Sequence, residues 1–139
     1  MGDLLDLASG MERTVSASSL RSFCELAKID HLIFKFRVYQ VLLGLSQEKE
    51  EQFSDHAHCR LGKWYYQGDG QAYFSSLPGF RNLEAPHKEV HDSAHGALAA
   101  HRQGDGQATL AWVARMETSS LRVLEALEGL AVSGAALFN

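Results

Sequence analysis

The sequence is poor in cysteine and proline and has no surplus of basic residues. Its 139 residues include two cysteines and two prolines, and 13 basic residues stand against 17 acidic ones. Two cysteines, Cys24 and Cys59, cannot form the disulfide framework of a small secreted domain. Without excess positive charge to neutralise phosphates, the chain does not resemble a nucleic-acid binder. We therefore expect no nucleic-acid partner.

Long apolar runs are also missing. A membrane-spanning helix needs about 18 uncharged apolar residues, but the most apolar stretch, residues 32–45, contains Lys35 and Arg37. The first ten residues lack the basic segment and apolar run of a signal peptide. We therefore expect a cytoplasmic protein without a membrane span, whose cysteines stay reduced and can bind a metal.

What the sequence does have is apolar residues at helical spacing. Hydrophobic residues make up 45% of the chain and charged residues 22%, which is typical of one globular domain. Residues 14–45 contain no proline, and no glycine before Gly44, so they predict a long helix. Its apolar stripe consists of Leu20, Phe23, Cys24, Ala27, Phe34, Val38, Val41 and Leu45.

Further helices follow the same pattern. Long helices are predicted from Gly79 or Pro86 to His101 and from Gln107 to Leu130; short ones are predicted over residues 59–66 and 72–77. Residues 46–58 are polar and predict a loop or a frayed helix. We predict an all-α fold, an antiparallel bundle of about four helices with a short extra helix that carries the cysteine. A long crossover is expected between the first long helix and the second.

Three histidines fall on the predicted core-facing stripes. His31 fills the gap in the stripe of the first helix, and a core histidine with a hydrogen-bond partner would explain it when taken alone. His87 and His91 are four residues apart, which on a helix brings their Cβ atoms to roughly 5–6 Å. That distance suits one metal ion, although many helical pairs of this spacing are accidental.

Cys59 offers a shared reason for burying these histidines. It opens the most apolar short segment, so it is either an inert core thiol or a metal ligand. Together with His31, His87 and His91 it would complete the four nitrogen and sulfur ligands that tetrahedral zinc prefers. Magnesium and calcium prefer oxygen ligands instead. On spacing alone, a zinc site and separate core packing both remain open.

The remaining candidates are weaker. His56 and His58 precede Cys59 in a polar segment, where they are solvated or reach a metal held by that cysteine. His95 lies one turn beyond His91, but a drift of about 40° per four residues carries it off the same line. We expect His101 to be exposed. Cys24 is two turns from His31, about 10 Å away, and packs in the core.

Three sequence motifs together resemble a known family. They are His31-Leu-Ile-Phe-Lys after Asp30, then Cys59-Arg-Leu-Gly62-Lys-Trp64-Tyr65, then His87-Lys-Glu-Val-His91. In this order they resemble the bacterial chemoreceptor zinc-binding (CZB) domain. The resemblance covers roughly residues 20 to 130. We expect residues 18–131 to form this domain, residues 1–17 to be a linker or N-terminal extension, and residues 132–139 to be a frayed tail.

The resemblance implies a bundle of about four helices with Zn²⁺ held by His31, Cys59, His87 and His91. It also implies a cytoplasmic homodimer that regulates a chemoreceptor signalling module or a diguanylate cyclase. Family members are implicated in sensing zinc and oxidants such as hypochlorous acid, with the zinc-bound thiolate as the switch.

Four neighbouring residues then gain expected roles in that switch. Asp30 accepts a hydrogen bond near the site or is a solvated charge. Gly62 gives the short helix backbone freedom. Trp64 and Tyr65 are the large groups that repack, and they are core residues in at least one state.

Three functions are compatible with these residues. The first is a non-enzymatic sensor of zinc or oxidant, and the second is a purely structural zinc domain that mediates dimerisation. The third is a metal-dependent enzyme, which would need an open ligand position and a carboxylate as general base. The nearest acidic residues, Glu89 and Asp92, should point away from the site, so we expect no enzyme.

Overall fold

Four α-helices, three of them long, make up most of the chain. In the computed structural model, which describes residues 2–138, they are α1 (Gly2–Leu42), α2 (Arg60–Tyr66), α3 (Glu84–Arg102) and α4 (Gly106–Phe138). Single helical turns at Glu50–Gln52, Gly70–Phe74 and Phe80–Leu83 lie between α1 and α3. The described residues contain no strand, and the predicted all-α fold is confirmed.

Helix α4 runs antiparallel to α1. Arg21 of α1 pairs with Glu128 of α4 at 2.7 Å. Lys35, farther along α1, pairs at 2.8 Å with Glu117, which comes earlier in α4. Residue numbers therefore rise along one helix as they fall along the other.

Helices α3 and α4 form an antiparallel hairpin closed by a tight turn. Gly104 takes a left-handed conformation with φ 76°, and the Asp105 N–H donates to the Ala100 carbonyl at 3.0 Å, a common way to end a helix. Asp105 then caps α4, because its carboxylate accepts the Ala108 N–H at 3.0 Å. Since α1 and α3 are both antiparallel to α4, they are parallel to each other. Residues 43–83 form the crossover between them, as predicted.

Helix α1 ends three residues earlier than its apolar stripe predicted. Gly44 has φ 76°, and the Leu45 N–H donates to the Gln40 carbonyl at 2.8 Å. A glycine in this conformation terminates the helix after Leu42, so Leu45 lies outside it.

The prediction that the C-terminal residues fray is wrong as far as Phe138, and Asn139 lies outside the described residues. Helix α4 continues to Phe138, because Ala131 is buried and Gly134 packs closely against α1. A Cβ atom at Gly134 would lie 2.5 Å from Cδ2 of Leu20. Helix α1 likewise includes residues before position 18, although the first buried side chain among those described is Ala17. The domain limits at residues 18 and 131 stay a prediction.

The core lies where the three long helices meet. Its largest fully buried apolar side chains are Leu20, Cys24, Val38, Leu83, Val90, Met116, Val123, Leu127 and Leu130. None of the helices in the described part of the chain has the length and apolar character that a membrane span requires.

Candidate metal centre

Cys59 caps the start of the short helix α2. Its backbone is extended, and its Sγ accepts the Gly62 N–H at 3.4 Å. A Cβ atom at Gly62 would lie 1.9 Å from the His56 carbonyl oxygen. Glycine is therefore required here because the loop before Cys59 passes directly over α2. This close approach, rather than the expected backbone freedom, is the reason that the structure gives for Gly62.

His87 and His91 lie one turn apart on α3 and face Cys59. Both are buried, with relative exposures of 4% each, and their ring centroids are 4.9 Å apart. Nε2 of His87 is 3.3 Å from Sγ of Cys59. One ligand atom from each of the three residues can be chosen so that all lie within 4.8 Å of one another. The structure thus brings three predicted ligands to positions that could hold one ion.

His91 is oriented by a backbone carbonyl. Its Nδ1 is 2.8 Å from the carbonyl oxygen of Ser54 in the crossover. Because a carbonyl only accepts, Nδ1 carries the proton in this contact, and the lone pair of the neutral ring is on Nε2. The His91 ring also packs against Phe34 of α1 at a centroid distance of 4.4 Å.

His31, the fourth predicted ligand, lies on the wall of the same pocket. A cavity of about 40 Å³ is lined by all four predicted ligands together with Ala27, Asp30, Phe34, Arg60 and Leu61. Nε2 of His31 is 2.7 Å from Oγ of Ser120 on α4, and that oxygen also accepts from Lys35 at 3.1 Å. His31 therefore shares the pocket but does not belong to the three-residue cluster.

Burial keeps these side chains uncharged. It lowers the pKa of His87 to about 3, and those of His31 and His91 to about 4. Positive charge on neighbouring lysine and histidine side chains acts in the same direction, whereas the Ser54 carbonyl partly opposes the shift at His91. Burial also raises the pKa of the Cys59 thiol, although the Gly62 N–H partly opposes this. The pocket thus offers neutral imidazoles and one sulfur, without a carboxylate in the cluster. This donor set fits zinc better than magnesium or calcium.

Comparison with protein families agrees with this donor set. Residues 31–98 match the family model of the chemoreceptor zinc-binding domain. Over this range the chain is similar to a chemoreceptor zinc-binding domain. The matched range begins at His31 and includes Cys59, His87 and His91. No curated protein and no solved structure matches the chain.

At the edge of the pocket, Asp30 pairs with the first residue of α2. Its Oδ2 is 3.1 Å from Nε of Arg60. Both side chains are partly exposed, so the pair closes the outer edge of the pocket and links α1 to α2. Asp30 is therefore paired with a charged neighbour at the edge of the pocket, and its expected role beside the metal ligands stays a prediction.

Aromatic stacking fixes the rest of α2. Trp64 stacks on Phe23 of α1 at a centroid distance of 4.3 Å. Tyr65 stacks on Phe80 just before α3 at 4.2 Å, and its hydroxyl donates to the Phe80 carbonyl at 3.1 Å. Both side chains are buried, which confirms the interpretation of Trp64 and Tyr65 as core residues in this state.

The remaining histidines divide into two groups. His58 is exposed and pairs with Asp55 at 2.7 Å, and His101 is exposed as expected. His56 is half-buried, with its ring perpendicular to that of His87 at a centroid distance of 6.0 Å. His95 was set aside on helical geometry, yet its Nε2 is 3.2 Å from the Ser54 carbonyl that orients His91. The repeated spacing of four residues from His87 through His95 was the available signal.

Proposed function

We propose that this chain is a zinc-binding regulatory domain of bacterial signalling, with zinc held by His31, Cys59, His87 and His91. The convergence of Cys59, His87 and His91 within 4.8 Å in a buried pocket carries the proposal. His31 is included because it is a neutral, buried imidazole on the wall of the same cavity. When bound, zinc would hold the sulfur of Cys59 as a thiolate at neutral pH.

A regulatory role is favoured over catalysis by the surrounding carboxylates. Glu89 and Asp92, the acidic residues nearest to the histidine pair in sequence, are engaged in ion pairs away from the cluster. Glu89 pairs with Arg115 at 2.7 Å, and Asp92 pairs with Lys88 at 2.5 Å. A catalytic zinc site uses an open ligand position and a nearby carboxylate base, whereas four protein ligands would fill this one.

We further propose that Cys59 is the oxidant-sensitive group of the domain. In the net reaction with hypochlorous acid, the thiolate takes up the HO group to form a sulfenic acid. The sulfur loses two electrons to chlorine, which leaves as chloride. A sulfenic acid is a poorer metal ligand than a thiolate, so oxidation would weaken zinc retention.

Helix α2 would carry that change to the bundle. Cys59 caps α2, so movement of its sulfur alters the contact with the Gly62 N–H at the start of the helix. From there, Trp64 contacts α1 through Phe23, and Tyr65 contacts the turn just before α3 through Phe80. This continuous packing supports a role for the short helix as the moving part.

The zinc proposal is tested by metal content and by a pair of serine variants. We expect about one zinc per chain in protein purified without chelators. Cys59→Ser should weaken zinc binding by about 100- to 1000-fold, because one of four ligands contributes roughly a quarter of the 10–16 kcal/mol of a structural zinc site. The control Cys24→Ser should leave zinc affinity unchanged in a competition titration with a chromophoric chelator. Metal-free protein that takes up no zinc would refute the site.

We also propose that the domain pairs with a second copy of itself through α1, next to a chemoreceptor module or diguanylate cyclase in the cytoplasm. The part of α1 before Ala17 presents large apolar side chains, each more than three fifths exposed: Leu4, Leu5, Leu7, Met11 and Val15. Ile29, Ile33 and Phe36 continue an apolar face at spacings of four and three residues, which suits helix pairing. An isolated helical end of this kind is only marginally stable in water.

Sedimentation equilibrium tests the pairing. We expect a mass of twice 15.3 kDa for the unaltered chain and a monomer for the double variant Ile29→Glu/Ile33→Glu. Tyr73→Glu, on an exposed aromatic residue of the crossover, is the matched control and should remain a dimer. A monomeric unaltered chain at micromolar concentration would rule out this interface.

A further inference from the structure

We propose that His95 is a positioning residue for His91 and acts through the backbone carbonyl of Ser54. The inference deepens the proposed zinc site and rests on His91 being one of its ligands. His95 itself is not a ligand, because both of its ring nitrogens face groups of the crossover.

A single carbonyl oxygen connects the two histidines. The oxygen of Ser54 is 2.8 Å from Nδ1 of His91 and 3.2 Å from Nε2 of His95. A carbonyl has two lone pairs, so it can accept both N–H groups at once. Since His91 and His95 occupy consecutive turns of α3, the two donors hold the carbonyl between them.

The other side of His95 faces the same stretch of the crossover. Its Nδ1 is 3.5 Å from Oε1 of Glu50, and both side chains are less than a third exposed. Glu50 begins the helical turn Glu50–Gln52, and Ser54 follows that turn by two residues. His95 therefore contacts the crossover at two points, and the point to which it donates is the acceptor for His91.

The contact with Ser54 affects both the tautomer of His91 and the orientation of its ring. As long as Nδ1 donates to the carbonyl, the lone pair for a metal is on Nε2. A histidine ligand depends on the group that its other nitrogen contacts, for both its tautomer and its ring orientation. Without His95 the carbonyl would be held by His91 alone, and the preference for this tautomer would weaken.

The two amide isosteres of histidine separate the contacts of His95. The amide nitrogen of glutamine occupies nearly the position of Nε2, so His95→Gln can still donate to Ser54. The amide nitrogen of asparagine corresponds to Nδ1, so His95→Asn keeps only the Glu50 side. His101→Asn, on an exposed histidine farther along α3, is the matched control.

Two measurements then decide the role. Zinc affinity, measured by chelator competition, should fall about tenfold in His95→Asn and stay within about threefold of the unaltered protein in His95→Gln and His101→Asn. Long-range proton–nitrogen NMR of the metal-free protein should show His91 protonated on Nδ1, except in His95→Asn, where the two tautomers should mix. Thermal unfolding of each variant accounts for any general loss of stability.

The outcomes separate this inference from the zinc proposal. Equal zinc affinity and the same His91 tautomer in all variants would overturn the role of His95, and so would a loss in His95→Gln with His95→Asn unaffected. If the unaltered protein binds no zinc, the zinc proposal fails on its own. The NMR comparison in metal-free protein would still show whether His95 sets the tautomer of His91.

Discussion

The two cysteines are both shielded from solvent but differ in what surrounds the sulfur. Cys24 is fully buried on α1, and burial raises the pKa of its thiol to about 11. Cys59 is half-buried at the edge of a small cavity, with Nε2 of His87 at 3.3 Å from its sulfur. Burial raises the pKa of Cys59 as well.

Burial alone therefore does not distinguish the sulfur of Cys59 from that of Cys24. What distinguishes Cys59 is an adjacent set of imidazole nitrogens, a cavity beside the sulfur and a position at a helix start. Cys24 packs instead among apolar side chains of the bundle core. The contrast predicts that the chemistry of the domain is concentrated at Cys59, whereas Cys24 contributes only to stability.

The largest expected effect is on thiol reactivity. In native metal-free protein, Cys59 should react with iodoacetamide more than about 100 times faster than Cys24, since Cys24 becomes accessible only when the core opens. Peptide mapping by mass spectrometry at successive times measures both rates in one sample. Comparable rates for the two cysteines would break the contrast between them.

The next largest effect is on stability, at the close contact between Gly62 and the loop that leads to Cys59. Gly62→Ala should destabilise the metal-free protein by about 3 kcal/mol, because the added methyl group would overlap the His56 carbonyl and force the loop to move. Gly129→Ala in α4 is the matched control: a Cβ atom there meets no heavy atom within 4 Å, so we expect a gain of about 0.5–1 kcal/mol. Urea unfolding measures both changes. A small loss for Gly62→Ala would mean that the loop yields easily.

The smallest effect per residue is on the acid stability of the histidine pocket. His31, His87 and His91 have pKa values of about 3 to 4 in the fold, below the ordinary value of 6.5. The unfolded chain therefore binds more protons in this interval, and metal-free stability falls as the pH drops from about 6.5 toward 4. Each histidine contributes a slope of up to about 1.4 kcal/mol per pH unit.

Histidine variants assign that slope to the pocket. His87→Gln should reduce the loss of stability between pH 6.5 and pH 5, measured by urea unfolding with a chelator present. His101→Gln, which alters an exposed histidine, should leave the slope as it is. A slope that both variants share with the unaltered protein would place the acid sensitivity outside the pocket.

Much of the fold follows from local pattern. The apolar stripes, with little glycine or proline inside them, predict three long helices and a crossover. The ends of α1 and α4 could not be predicted in the same way. The contact of Gly134 with Leu20 joins residues far apart in the sequence, and it extends α4 beyond its last regular apolar position.

The site, like the fold, combines features that are local in the sequence with features that depend on tertiary contacts. The pair His87 and His91 is a local feature of one helix, so its spacing predicted a shared orientation that the structure bears out. The sequence could not predict the contact with the Ser54 carbonyl. Every residue has a carbonyl group, and only the tertiary structure places this one beside His91. For the same reason, spacing alone could not distinguish His95 from an exposed surface histidine.

The crossover has a further consequence for how the pocket opens. The distance between His87 and His91 is set as soon as α3 forms, whereas Cys59 is brought to them by closing a long segment of chain. Closing such a segment costs conformational entropy, and its contacts should be lost in partial openings that leave the α3–α4 hairpin intact. In hydrogen exchange, amides of α2 should therefore exchange before those of α3. The domain can then release one half of the pocket while it keeps the other assembled.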